Sequence, residues 1–176
     1  VVSIKTSDVN NTVKAYRLLS QQCNYPLHLG VTETGTVYNG IIKSSVGIGS
    51  LLIDSIGDTI RVSLSTDPIE EIKCAKAILR SIGIIKDGVN IISCPTCGRT
   101  KIDLFKIISQ VEQAFEGYSK PLTVAVMGCA VNGPGEASQA DIGIAGGDGC
   151  AVIFKKGKII KKVPQEDVVK EMMSLI

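Results

Sequence analysis

A chain of 176 residues, 44% of them hydrophobic, is long enough for one large domain or two small ones with a real core. Its net charge of +2 is spread along the sequence, so no nucleic-acid footprint shows, and the absence of tryptophan with only 4% aromatics weakens a base-stacking or RNA-binding reading. No apolar run approaches the ~20 residues needed to cross a bilayer and no signal-peptide pattern is visible, which predicts a cytoplasmic protein without a membrane partner.

The chain opens at Val1 on a strand-like run, and that beginning reads as part of a longer protein. Apolar strand-like runs start near residues 1, 27, 59, 89 and 122, a spacing close to the length of one βα unit. Helical stripes lie between them: Val9, Val13 and Tyr16 form one, and Ile69, Ile72, Ala75, Leu79 and Ile82 another. The second has a start signal in Asp67 as N-cap, Pro68 at the first helical position and Glu70 to close a capping box. Leu104, Ile108, Val111 and Phe115 form a further stripe, in a helix expected over about 101–116 and stopped by Gly117. Strands alternating with helices imply an α/β protein with parallel sheet.

In Val2–Lys5, Leu27–Thr32 and Ile60–Ser65, apolar residues alternate with polar ones. Successive strand residues point to opposite faces, so one face meets helices and the other carries Ser3, Lys5, His28, Thr32, Arg61 and Ser63. A doubly wound sheet wants both faces apolar, whereas a βα barrel keeps polar groups near its mouth. Lys5, Glu33 and Arg61 then fall at the C-terminal strand ends, where barrel sites collect, and Lys, His and Arg together favour an anion such as phosphate. His28 also fits a packed core histidine; its place on the polar face keeps it in the candidate set. Three βα units do not close an eight-stranded barrel, so 1–84 is read as the last three units of a TIM-type barrel.

Gly83–Gly88 is the expected boundary, with a small α+β domain over 85–176. It begins with the cysteine-bearing strand, a helix and the strand before Cys129. Strand-like runs follow over 141–147, 150–154 and 159–163, with a terminal helix from about Pro164. The glycines of 143–149 resemble a phosphate loop only superficially, because a strand follows them rather than a helix.

Six cysteines stand at 23, 74, 94, 97, 129 and 150. Their uneven spacing in a chain with a large core predicts a reducing compartment, where cysteines are ligands or catalysts rather than disulfide staples. Cys94-Pro-Thr-Cys97, leaving a strand and entering a helix, suits a thioredoxin-like pair, half of a zinc site or half of an iron–sulfur site. A second Cys-x-x-Cys, normal for zinc ribbons, is absent, and a thioredoxin pair does not require Cys129. The Gly- and Pro-rich loop Gly128–Glu136 permits the close backbone approach that wrapping a cluster needs. Glu136 then reads as a fourth ligand, an oxygen donor that iron exchanges more readily than a thiolate. Cys94, Cys97, Cys129 and Glu136 are thus candidate ligands of a 4Fe–4S cluster with one replaceable position. Cys23, Cys74 and Cys150 are read as structural.

At this point Ile-Ser-Cys-Pro-Thr-Cys-Gly-Arg, Met-Gly-Cys-Ala-Val-Asn-Gly-Pro-Gly-Glu-Ala, Leu-His-Leu-Gly-Val-Thr-Glu-Thr-Gly and Asp-Thr-Ile-Arg-Val-Ser-Leu-Ser resemble the 4-hydroxy-3-methylbut-2-enyl diphosphate synthases of the non-mevalonate isoprenoid pathway. The resemblance runs over essentially the whole chain. It implies a βα barrel followed by a 4Fe–4S domain of the sulfite/nitrite reductase-like type, and two-electron reductive ring opening of methylerythritol cyclodiphosphate with loss of water. Carried over by motif, Cys94, Cys97, Cys129 and Glu136 hold the cluster, Glu33 serves proton transfer, and Lys5, Arg61 and Ser63 hold the diphosphate, with Asn132 near the cluster. It further implies flavodoxin or ferredoxin as electron donor and a head-to-tail homodimer of the full-length protein. The family's earlier barrel strands are not in this chain, so the isolated chain is expected to be inactive. The alternative reading is an electron-transfer or thiol-redox module without its own substrate; an electron wire needs neither a polar barrel face nor Glu136.

Overall fold

The computed structural model describes residues 1–130, 135 and 137–176, arranged as two units, Val1–Lys86 and Asp87–Ile176. In the first unit, alternation decides the architecture. Leu27, Leu29 and Val31 are buried while His28 between the first two and Thr32 after the last are only half-buried, as period-two patterning on a one-sided sheet gives. Strand β1 (His28–Gly30) pairs in parallel with β2 (Thr59–Arg61), His28 opposite Thr59 and Gly30 opposite Arg61. A parallel bridge joins Val2 to Leu27, so the three strand runs lie side by side in one direction. Helices α1 (Val9–Ser20), α2 (Val37–Ile53) and α3 (Pro68–Ser81) follow them in turn. Val13, Tyr16, Ile48, Leu51, Cys74 and Ile78 of these helices pack with Leu27, Leu29 and Val62 of the strand runs.

Helix α2 has no clear apolar stripe in the sequence because small residues, Gly40, Ser44, Gly47 and Gly49, share its buried face with Ile48 and Leu51. The reason is close approach. A Cβ on Gly47 would lie 2.7 Å from a Val31 methyl, and one on Gly40 the same distance from Leu64. Helix α3 begins as its signals predict, with Asp67 accepting a hydrogen bond from the Ile69 N–H at 2.8 Å and Pro68 as the first residue. Two expectations are corrected there. Glu70 pairs with Lys73 at 2.8 Å rather than reaching back to the cap. The buried stripe runs through Cys74 and Ile78, leaving Ile69 and Ile72 62% and 59% exposed. An aliphatic-only count picks the wrong face when a cysteine is the residue facing the core.

The second unit is a five-stranded sheet in the order β3 (Val89–Ser93), β4 (Leu122–Met127), β5 (Ile142–Gly147), β6 (Cys150–Lys155), β7 (Lys158–Val163). The first three strands are mutually parallel, joined at β3–β4 by the crossover helix α4 (Leu104–Ala114); β6 and β7 return antiparallel. A turn at 165–167 leads into α5 (Val168–Met173). Strand β4 is apolar on both faces because both are covered. Val124 and Val126 meet α4 and α5 through Ile107, Val111, Val168 and Met172, while Ala125 and Met127 meet Ala137, Ala140, Ala145 and Phe154. The glycines of β5 make room for that second face: a Cβ on Gly143 would lie 2.3 Å from the Phe154 ring. Among the described residues, no helix is long and apolar enough to cross a membrane.

Candidate functional site

In the first unit the polar face of the strands forms two rows across the pairing direction. One holds Ser3, His28 and Thr59: Ser3 Oγ donates to the His28 carbonyl at 2.9 Å, and His28 Nδ1 lies 2.8 Å from Thr59 Oγ1. The next row toward the strand ends holds Lys5, Gly30 and Arg61. Gly30 has no room for a side chain, since a Cβ there would lie 2.9 Å from the Arg61 carbonyl and 3.5 Å from Lys5 Cδ. The Lys5 stem therefore runs over the glycine. Burial, then the Arg61 guanidinium, pushes the Lys5 ammonium below its ordinary value. Burial, then Lys5 and Arg61, does the same to His28. No ion pair ties Lys5 or Arg61 to a carboxylate among the described residues. Lys5 and Arg61 thus repel each other and disfavour charge on His28 on a shared surface, an arrangement that an oxyanion would relieve.

Beyond these rows the strand ends turn sharply. Glu33 is exposed and holds a φ of 52°, in the left-handed region that a non-glycine residue seldom adopts, and Gly35 follows at 85°. The turn is pinned from below: buried Thr34 donates from Oγ1 to the Ser63 carbonyl at 2.7 Å, and Gly40 leaves the space that the Thr34 side chain occupies. The Leu64 N–H, next to Ser63, donates to Glu71 at 2.8 Å, which fixes the end of the β2 run to α3. The structure therefore brings Lys5, His28 and Arg61 together on one face, and ties the Glu33 turn to the Ser63 segment through Thr34.

In the second unit, Cys94 follows β3 and Cys129 follows β4 by two residues. The Gly128 N–H donates to Cys94 Sγ at 3.1 Å, so the first cysteine touches the backbone beside the third. Thr100 completes the stitch. Its Oγ1 accepts from the Cys97 N–H at 3.2 Å, its own N–H returns to the Cys97 carbonyl at 3.0 Å, and the Lys101 N–H donates to the Gly128 carbonyl at 2.8 Å. Gly146 admits this loop, because a Cβ there would lie 2.4 Å from the Gly128 oxygen. Thr100 and Gly146 were not singled out in the sequence; a threonine three residues after the second cysteine and a glycine inside a β-run were their only signals.

All six cysteines are free thiols; Cys94 is half-buried, Cys97 exposed and Cys129 buried. Cys97 lies in a turn, seven positions before α4 begins at Leu104, so the pair does not enter the helix directly as expected. That removes the helix N-terminus that lowers the thiol pKa in a thioredoxin-type pair. Soft thiols at adjoining strand ends, one already accepting a backbone N–H at sulfur, match the donor chemistry of an iron–sulfur group. Among the described residues, no group of three His, Cys, Asp or Glu converges closely enough to hold a metal ion. Glu136 and Asn132 lie outside the described residues.

A cation-faced βα unit followed by a cysteine-bearing α/β unit defines a two-part α/β protein, one part suited to an anion and the other to soft-metal or thiol chemistry. The family models agree with this division: the GcpE TIM-barrel domain matches residues 1–76 and the GcpE protein C-terminal domain residues 90–176. The chain belongs to the GcpE family. It is 61% identical over 173 residues to the Clostridium acetobutylicum protein named 4-hydroxy-3-methylbut-2-en-1-yl diphosphate synthase (flavodoxin), covering 98% of this chain and 50% of that one. Proteins of the same name from Ruminiclostridium cellulolyticum and Geobacter sulfurreducens are 60% and 53% identical, over 99% and 95% of this chain and 50% and 47% of theirs. The chain thus spans about half the length of these curated relatives.

Proposed function

We propose that the chain is the C-terminal half of an iron–sulfur reductase that converts methylerythritol cyclodiphosphate to 4-hydroxy-3-methylbut-2-enyl diphosphate, by two-electron reductive ring opening with loss of water. The observation that carries the reading is the basic face of Lys5, His28 and Arg61, which has no carboxylate ion-pair partner among the described residues and suits a diphosphate. In this role Lys5 and Arg61 donate to phosphate oxygens and offset their charge, with Ser63 adding a hydroxyl donor. Glu33, held in a strained turn at the strand ends, passes a proton to the hydroxyl oxygen that departs as water.

Cys94, Cys97, Cys129 and Glu136 would hold a 4Fe–4S cluster in a domain of the sulfite/nitrite reductase-like type. The cluster would supply the electrons and a Lewis-acidic iron. Asn132 would support the substrate beside it. The parenthesis in the relatives' name makes flavodoxin the first electron donor to test, with ferredoxin second. A homodimer of the full-length protein, in the cytoplasm, completes the proposal.

The test is anaerobic reconstitution with iron and sulfide, followed by visible absorption and metal counting on this chain and on Glu136→Ala. A broad charge-transfer band with about four irons per chain is expected, and its position should respond to the Glu136 change. A colourless or zinc-loaded protein would return Cys94 and Cys97 to the zinc or thiol-redox readings. Turnover of substrate by the isolated chain is not expected, because it spans only about half of its relatives' length.

A further inference from the structure

The row beneath Lys5 and Arg61 has a chemistry of its own. His28 is the only histidine in the chain. Its Nδ1 is engaged by Thr59 Oγ1 at 2.8 Å, across the register that pairs the two residues. Its main chain is fixed as well: the carbonyl accepts from both Ser3 Oγ and the Tyr16 hydroxyl, and the N–H donates to the Val2 carbonyl at 2.8 Å. The neighbouring acid is turned elsewhere, since the Asp58 carboxylate accepts from the Leu27 N–H at 2.7 Å. Among the described residues, the charged groups that act on the ring are Lys5 from the first strand run and Arg61 from β2, both cations.

We propose that the Thr59–His28 pair is a proton-accepting floor beneath the Lys5–Arg61 row, so that an oxyanion binding to that row is accompanied by proton uptake on His28. This rests on the anion-binding reading of the row. Thr59 is a positioning residue. With the ring neutral, its hydroxyl donates to Nδ1 and the ring proton sits on Nε2; with the ring charged, Nδ1–H donates to the same oxygen. Either way Nε2 carries a proton, and the ring changes charge without turning. Burial and then the two cations disfavour the charged ring in the free protein, and an anion that offsets the cations lowers that obstacle to its protonation. By linkage, the anion must then bind more weakly as the pH rises through the titration of His28.

The single histidine makes the test direct. In the chain labelled with 15N-histidine, the ring resonances are followed through a pH titration with and without inorganic diphosphate, in the parent, Thr59→Val and Thr59→Ser. In the parent we expect the Nε2–H tautomer, and a titration midpoint that diphosphate raises by about one pH unit, a tenfold gain in proton affinity. Thr59→Val should lose the tautomer preference and Thr59→Ser should keep it. A mixed or Nδ1–H tautomer in the parent, or a midpoint that diphosphate leaves in place, overturns the inference. In the second case the Lys5 and Arg61 amide resonances of a uniformly 15N-labelled sample decide the wider reading. If they move with diphosphate, the anion site stands without its floor; if they do not, the anion site fails as well.

Discussion

The two units carry their candidate chemistry on different kinds of backbone. In the first, Lys5, His28 and Arg61 stand on or beside paired strands, in register, with the Gly30 backbone packed between them. In the second, Cys94, Cys97 and Cys129 stand in loops just past the strands, held by hydrogen bonds among Cys97, Thr100, Lys101 and Gly128. A strand places a side chain by periodicity, so its position survives many changes around it. A loop places a side chain by particular contacts, so one altered neighbour can move it. The cationic face should therefore tolerate substitution nearby and lose function only when a charge is removed, while the cysteine loops should fail from a distance.

Removing a thiol makes the largest difference. In Cys94→Ser or Cys129→Ser, a soft donor at a strand end becomes a hard hydroxyl, and reconstituted iron should fall to near background by metal analysis. Iron retention at the parental level in both would mean that these loops do not form the site. Gly146→Ala tests placement rather than ligation. Its new methyl would lie 2.4 Å from the Gly128 oxygen, a backbone atom that cannot swing aside. Overpacking of this kind costs about 1–3 kcal/mol, visible in chemical denaturation, and iron uptake should drop although no ligand has changed. Normal iron uptake in a destabilised Gly146→Ala would show that the Gly128 loop can shift without harming the site.

The same contrast explains what was legible in the sequence. Alternation in Leu27–Thr32 and Ile60–Ser65 reports a physical period, and the polar face it defines is the one on which Lys5, His28 and Arg61 meet. The start of α3 was legible for a similar reason, since Asp67 and Pro68 act locally. Helix α2 was not. Gly40 and Gly47 are buried to let other groups approach, and a hydrophobicity pattern registers side chains that fill space rather than those that leave it. The cysteines stood out by residue type, but Thr100 and the Gly146–Gly128 approach depend on segments that are distant in sequence, which no local pattern encodes.

On the first unit, Lys5→Gln and Arg61→Gln each remove one cation from the shared face. Either should weaken inorganic diphosphate binding by about tenfold or more in calorimetry, with little change in folding, because each also relieves repulsion in the free protein. His28 should titrate at higher pH in both variants, since Lys5 and Arg61 add to burial in holding it down. The sign for stability follows. With His28 held below its unfolded value, the folded state binds fewer protons than the unfolded one, and stability falls as pH drops from about 6.5 through the folded midpoint. In Lys5→Gln that acid-side loss should shrink. An unchanged acid limb, measured by urea unfolding between pH 7 and 5, would remove Lys5 from the surroundings of His28.

Glu33→Gly separates strain from chemistry. At φ 52° a residue with a Cβ costs about 1 kcal/mol that glycine does not, so the variant should unfold later in denaturant by about that amount, less glycine's entropy in the unfolded chain. A full-length protein carrying the same change should lose turnover while retaining diphosphate affinity. Destabilisation instead would mean that the carboxylate holds the turn in place, and the assignment of Glu33 to proton transfer would lose its argument from strain.

The smallest effect belongs to Asp67→Ala, and it serves as the control for the others. Its carboxylate satisfies the Ile69 N–H at the start of α3, and an exposed cap of this type contributes about 0.5–1 kcal/mol. Helix α3 in turn supplies Glu71, whose carboxylate accepts from the Leu64 N–H beside Ser63. A frayed first turn should therefore loosen the end of the β2 run without touching a charge on the polar face. Thermal unfolding of the first unit should shift down by a few degrees while diphosphate affinity changes less than twofold. If affinity falls as far as it does in Lys5→Gln, strand periodicity alone does not hold the cationic face in place. Its geometry would then depend on helix contacts much as the cysteine loops depend on Thr100, and the contrast between the two units would be one of degree.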